Sequence, residues 1–139
     1  MKTFEELKED LLERAKKHNA CQDGYRMGLN AKSKKDLLEA ITSNWFWVFR
    51  TSKMIDANYL EDNFSEEELS EAGIYTRKEH ASNTRAFACG SATVKACNNS
   101  YVEDCTGNIN TVSDYGIVKD YYNHKIYIKK GIFEIIEIE

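Results

Sequence analysis

The sequence predicts an α+β fold, a small helical domain over residues 1–80 followed by a short flattened β-solenoid over 81–139 with a C-terminal strand cap. Three observations carry this. From Ser82 the chain aligns with itself every eight residues, as SNTRAFAC, GSATVKAC, NNSYVEDC, TGNINTVS, DYGIVKDY, YNHKIYIK and KGIFEIIE. Before that point the punctuation is helical, with Thr3/Glu6 and Ser65/Glu68 at capping-box spacing. The chain also has no proline, so nothing in the repeats interrupts a hydrogen-bonded ladder.

The first helix follows from Phe4, Leu7, Leu11, Leu12 and Ala15, which recur on one face until His18-Asn19. A second short helix is expected over Gln22–Leu29. Ser33 opens a third through Lys34, Leu37, Leu38 and Ile41. The run Trp45-Phe46-Trp47-Val48-Phe49 is too densely apolar for a surface helix and is expected at the buried centre of this half, with strand as the competing assignment. Ser65 starts a last helix with Leu69 facing inward, and Gly73 is placed to end it as a left-handed residue. Residues 74–83 then read as a seam.

In the repeats, each block ends in turn-forming residues such as Gly90-Ser91, Asn98-Asn99 and Thr106-Gly107-Asn108, so a block is one short strand and one tight turn. Eight residues are too few to close a coil. Two blocks make a sixteen-residue rung with one strand in each of two sheets. Val94, Val102 and Val118 share the fifth block position and should point inward, beside the small Ala92 and Ser100, which makes a thin interior. A meander of hairpins is the alternative, but it gives no reason for Cys89, Cys97 and Cys105 to fall in step. Lys125–Lys129 and Ile132–Ile138 alternate apolar with charged residues and lose the turn chemistry, as a cap over a terminal rung would.

Size and composition bound the function. A chain of 139 residues, 42% hydrophobic, buries one modest core or two small ones, and a net charge of -4 without a basic stripe argues against direct nucleic-acid binding. No stretch is long and apolar enough for a membrane span, and the charged start MKTFEELKED is unlike a signal peptide, so the expected location is cytoplasmic. The cysteines obey the repeat and are read as reduced, small hydrophobes stacked in ladders, with no metal site and no cofactor. His18 and Cys21 lack the third group that would orient a nucleophile–base pair, and His18 is read as a helix-terminal residue near a buried thiol. His80 and His124, in seam and turn positions, are expected to be exposed. Phosphate-loop, metalloprotease and nucleophile-elbow motifs are absent, which argues against an enzyme.

One charge feature rises above background: Asp56, Glu61, Asp62, Glu66, Glu67, Glu68 and Glu71 lie between Lys53 and Arg77 with no base among them. A solvated helix face explains them simply. The sharper reading is a partner-binding patch that mimics nucleic-acid phosphate and occupies a basic groove.

The blocks GSATVKAC and NNSYVEDC resemble the Asn-Ala-Thr-Val repeats of small phage and mobile-element proteins, in which a helical N-terminal region precedes a short repetitive β part. Residues 14–25, RAKKHNACQDGY, and Asn44-Trp45-Phe46-Trp47 resemble the N-terminal region of the same proteins. This chain departs from them in carrying cysteine where tyrosine is common, and Asn110 where valine is expected, which predicts a disturbed rung at TGNINTVS. The resemblance implies the architecture and a mobile-element setting and supplies no catalytic residues. The expected function is therefore a non-enzymatic protein-binding module, an anti-CRISPR-like inhibitor of a host defence effector. A scaffold that self-associates through its β rungs is the alternative.

Overall fold

The computed structural model describes residues 1–77, 79–82, 85–108, 111–113, 115–130 and 132–138; for 79–82, 130 and 132–134 only the backbone is described. The chain is α+β. It divides into two units, Met1–Ala72 and Gly73–Glu139.

In the first unit, helix α1 spans Phe4–Lys17 and starts in a complete capping box: Glu6 N donates to Thr3 Oγ1 (3.2 Å) and Thr3 N donates to Glu6 Oε1 (3.1 Å). Its apolar stripe buries Leu7 and Leu11. Helix α2 spans Gln22–Leu29 and buries no residue. Helix α3, Lys34–Ser43, is capped by Ser33 and buries Leu37, Leu38 and Ile41.

The aromatic run is helical, which excludes the strand assignment. Its end, Trp47–Thr51, is a π-helix closed by a bond from Ser52 N to Trp47 O (2.8 Å), and the Ser52 hydroxyl donates to Trp47 O and Val48 O as well. Only part of the run reaches the core. Trp45 is 1% exposed, its ring 4.2 Å from that of Phe49 between centroids, whereas Phe46 is 43% exposed and Trp47 half-buried. A helix turns its side chains around the axis, so five consecutive aromatic and aliphatic residues cannot all face one core.

Helix α4, Ala57–Asn63, is absent from the sequence expectation because its N-cap, Asp56, is read there as one acid in a charge run. Asp56 Oδ1 accepts from Tyr59 N at 2.8 Å. The helix buries Tyr59, Leu60 and Asn63. The Tyr59 hydroxyl donates to Asp10 on α1, Arg14 pairs with the same Asp10 oxygen at 3.0 Å and donates to Met54 O at 2.8 Å, and its guanidinium lies 4.5 Å from the Tyr59 ring centroid. This knot fastens α4 to α1. Helix α5, Glu66–Glu71, has the second capping box, and Gly73 follows with φ +74°, the left-handed conformation expected there.

The second unit has, among the described residues, strands β1 (Ile74–Tyr75), β2 (Glu79–Ser82), β3 (Arg85–Ala88), β4 (Val94–Cys97), β5 (Tyr101–Asp104), β6 (Thr111–Val112), β7 (Ile117–Asp120), β8 (Lys125–Lys130) and β9 (Ile132–Glu137). They form a six-stranded sheet, β1-β3-β5-β7-β8-β9, and a three-stranded sheet, β2-β4-β6. Successive strands from β1 to β7 therefore alternate between sheets. Arg85 pairs with Tyr101 and Tyr101 with Ile117; in the other sheet Lys95 pairs with Thr111, all in parallel. Every pairing from β1 to β7 is parallel, so the hairpin meander does not describe this part of the chain. Strands β8 and β9 add on as an antiparallel pair. One core cluster draws Ala86, Ala88, Val102 and Val118 from the larger sheet, Val94, Ala96 and Val112 from the smaller, and Ala92 from a turn.

The first pairings differ from the rest: Ile74 pairs with Phe87 and Glu79 with Val94, offsets of 13 and 15 residues. The segment read as a seam thus supplies two strands, and the β unit begins at Gly73 where the sequence placed the boundary at 80/81. Cys89 and Cys105 directly follow the paired Ala88 and Asp104, Cys97 ends β4 in the other sheet, and none of the four cysteines forms a disulfide. Asn110 lies outside the described residues.

Burial alone would raise the Asp10 carboxyl, but the Tyr59 hydroxyl and the Arg14 charge outweigh it and hold the group below its ordinary value of 3.8. A depressed carboxyl contributes stability above its unfolded value and loses it as pH falls through the folded one. Tyr59→Phe is expected to cost about 1.5–3 kcal/mol at pH 7. Urea melts of the variant should also show less further loss between pH 5 and pH 2 than the wild type, because Asp10 moves back toward its ordinary value.

Candidate functional site

Charge is unevenly spread along the chain. Residues 1–53 hold eleven bases and eight acids, residues 54–72 hold seven acids and no base, and residues 73–139 hold eight of each. The acid-rich segment is α4, α5 and their caps, and it accounts for the whole net negative charge.

The seven acids do not share one role. Asp56 caps α4. Glu68 is half-buried and spends an oxygen on the capping box, accepting from Ser65 N at 2.9 Å. Glu61 is half-buried on α4. Asp62, Glu66, Glu67 and Glu71 are exposed, and no described base pairs with them. Glu68 and Glu71 face a cleft of about 330 Å³ together with Lys35, Glu39 and Thr42 of α3. Glu39 is an addition the linear reading missed, because it reaches the cleft from a helix about thirty residues earlier.

Helix electrostatics accounts for some of these positions and leaves others unexplained, among them Asp62 in the last turn of α4. Glu66, Glu67 and Glu68 occupy the first turn, where negative charge is favourable. Glu71 is in the last turn, where it opposes the dipole, and it stands four residues from Glu67, a like-charge spacing that costs a few tenths of a kcal/mol. Its place in α5 is unfavourable locally.

Other candidates resolve into structural roles. Cys21 is exposed, not buried as expected, and its Sγ accepts from Gly24 N (3.5 Å) as the cap of α2; His18 is the exposed C-cap of α1. His124 is exposed in a turn with φ 57°, and the His80 side chain lies outside what is described. Among the described residues no group of three or more His, Cys, Asp or Glu side chains stands where it could hold a metal ion. Among the described residues no helix is long and apolar enough to cross a membrane.

The β unit carries two polar clusters that the sequence reading did not single out. Glu103, 7% exposed, accepts from Arg85 Nε (3.1 Å) and Nη2 and from the Tyr121 hydroxyl (2.9 Å). Burial and then Glu103 push the Tyr121 hydroxyl well above its ordinary range. Asp104 and Asp120 are paired in register and almost fully buried. Both clusters join residues 16 or 18 apart, so the repeat period is the signal that finds them.

No family model, curated relative or solved structure matches the chain.

Capping and charge in α5 separate by mutation. Ser65→Ala should cost about 0.5–2 kcal/mol by removing the cap. Glu71→Lys should leave the thermal midpoint unchanged or slightly raised, since it relieves a like-charge pair and favours the dipole. Parallel thermal melts of the two variants check this.

Proposed function

We propose that this is a non-enzymatic protein-binding module of phage or mobile-element origin, an anti-CRISPR-like inhibitor that sets its acid-rich segment against a basic groove of a host defence effector. The observation that carries it is Glu71. The helix dipole favours Glu66 and Glu67, and capping employs Asp56 and Glu68, but Glu71 is exposed, pairs with no base among the described residues and is locally unfavourable beside Glu67. Acids kept against the local preference of their helix fit selection for a surface potential, and a concentrated negative patch raises the encounter rate with a basic groove. The mobile-element setting rests on the resemblance of the repeats and of residues 14–25.

We further infer that the β unit is a flattened solenoid, two blocks to a rung, with β8 and β9 as its cap. Two features support this: offsets of 16 residues in both sheets, and a single core shared between them. Each rung then rests on the one before it. Duplicating residues 98–113, one whole rung, should leave a folded protein, whereas duplicating 98–105 alone exchanges the sheets of every later strand. Circular dichroism and thermal melts of the two insertions should show cooperative unfolding for the first and its loss for the second.

A second reading, self-association through the β unit, is favoured by Ile135 and Ile136, each 47% exposed on β9 at the edge of the larger sheet. One experiment separates the two. Capture from host lysate at low salt, followed by association kinetics with the captured protein, should give one nucleic-acid-binding partner whose on-rate falls as salt rises, because such charges are screened over about 8–10 Å at physiological ionic strength. The triple reversal of Glu66, Glu67 and Glu71 to lysine should slow association at least tenfold without unfolding the chain; Glu68 is left in place because it completes the cap. Unchanged association would overturn the acidic-face reading, and recovery of only further copies of the chain would favour the scaffold.

A further inference from the structure

Helix α2 combines two oddities. It buries none of its eight residues, and it carries Gly24 and Gly28, four apart and so on one face, in its first and last turns. Neither has a positive φ, so conformation does not call for glycine at either position. Space does not demand it at Gly24 either, where an added Cβ would make only ordinary contacts, at 3.4 Å from Asn44 Oδ1 and 3.5 Å from Cys21 Sγ. The bare face of α2 instead looks onto a cavity of about 170 Å³ that both glycines line.

The other walls are almost wholly apolar. Leu11 and Leu12 come from α1, Ile41 from α3, and Trp47 and Val48 from the π-helix. Such widened turns are rare and recur at functional sites. An apolar cavity of roughly 150 Å³ stays dry and takes up benzene, so this volume suits a one- or two-ring molecule. Asn44 is an oriented polar group at the cavity, whose lining also includes Cys21 and Tyr25. Asn44 Nδ2 donates to Ala40 O (2.8 Å) and lies 3.8 Å from Met27 Sδ, which fixes the amide and turns Oδ1 toward Gly24; among the described residues no donor reaches that oxygen.

We propose that the cavity beneath α2 binds a small uncharged aromatic molecule with one hydrogen-bond donor, the ring against Leu12, Ile41 and Val48 and the donor on Asn44 Oδ1. Apolar walls with one placed acceptor are the ordinary composition of a small-molecule site. Dispersion and burial supply attraction, and the acceptor supplies orientation and discrimination, because a ligand without the donor leaves that oxygen unpaired on closure. Helix α2, none of whose residues is buried, is the element that admits the ligand.

The test uses the full chain and indole as probe. Methyl-resolved NMR should show saturable shifts at Leu12, Ile41 and Val48, with 1-methylindole, which lacks the donor, binding at least fivefold more weakly. Gly24→Leu should fill the cavity and lower indole affinity at least tenfold with a thermal midpoint no lower than wild type. Gly24→Ala, which adds a single carbon, should weaken indole several-fold and serves if the leucine variant does not fold. Absence of saturable shifts, equal binding of indole and 1-methylindole, or undiminished binding by the folded filled variant would overturn the proposal. So would a tryptophan-containing peptide that occupies the same methyls more tightly than indole, which would make the cavity a seat for a protein side chain.

Discussion

The β unit rests on one constraint, that a residue and its counterpart 16 positions later occupy the same place in adjacent parallel strands. Parallel register puts like side chains above one another, so each interior position must hold a residue that stacks on its own kind. Valine and alanine meet this in the shared core, with Val102 over Val118 and both fully buried. The same constraint keeps the interior thin. Gly116, in the turn between β6 and β7, also lacks room for a side chain, since a Cβ there would collide with the carbonyl oxygen of Ala96 in the smaller sheet. A larger inward side chain would push the sheets apart at the neighbouring strands as well.

Stacking becomes costly when the repeated residue is acidic, and Asp104 over Asp120 is that case. Both are almost fully buried. Each is matched by donors from the turn that follows it: Asp104 Oδ1 accepts from the Thr106 backbone and hydroxyl, and Asp120 accepts from Tyr122 N, Asn123 N and the Asn123 amide. These are Asx turns, in which a side chain takes the place of a backbone acceptor and fixes the reversal. Burying a polar group without partners would be expensive, so the aspartates and their turn donors stand or fall together. On the other side Tyr127 of β8 approaches; burial and then Asp120 raise its hydroxyl.

What was legible in the sequence was what repeats or caps. The helices opened by Thr3, Ser33 and Ser65 follow from side chains that bond three residues ahead, a purely local relation. The blocks from Ser82 follow from the period. The strands at Ile74–Tyr75 and Glu79–Ser82 escaped because their offsets, 13 and 15, do not fit a cut into eights. Helix α4 escaped because Asp56 caps as readily as it carries charge, and composition alone does not say which it does. In the acidic segment, the residue types were legible and their division of labour was not: Glu66 and Glu68 look alike in the chain, yet only Glu68 closes a capping box. The contribution of Glu39 depends on how α3 and α5 pack, which no spacing rule encodes.

The register is the claim from which the interior and the paired aspartates follow, and scalar couplings across hydrogen bonds read it directly. The account predicts couplings from Cys105 N to the carbonyl carbon of Ala88, from Ile117 N to Ser100 and from Tyr121 N to Asp104 in the larger sheet, and from Ser113 N to Ala96 in the smaller, each donor 17 residues beyond its acceptor. Couplings whose donor and acceptor numbers instead sum to a constant along a strand pair would mean antiparallel hairpins in this part of the chain, and would contradict the account.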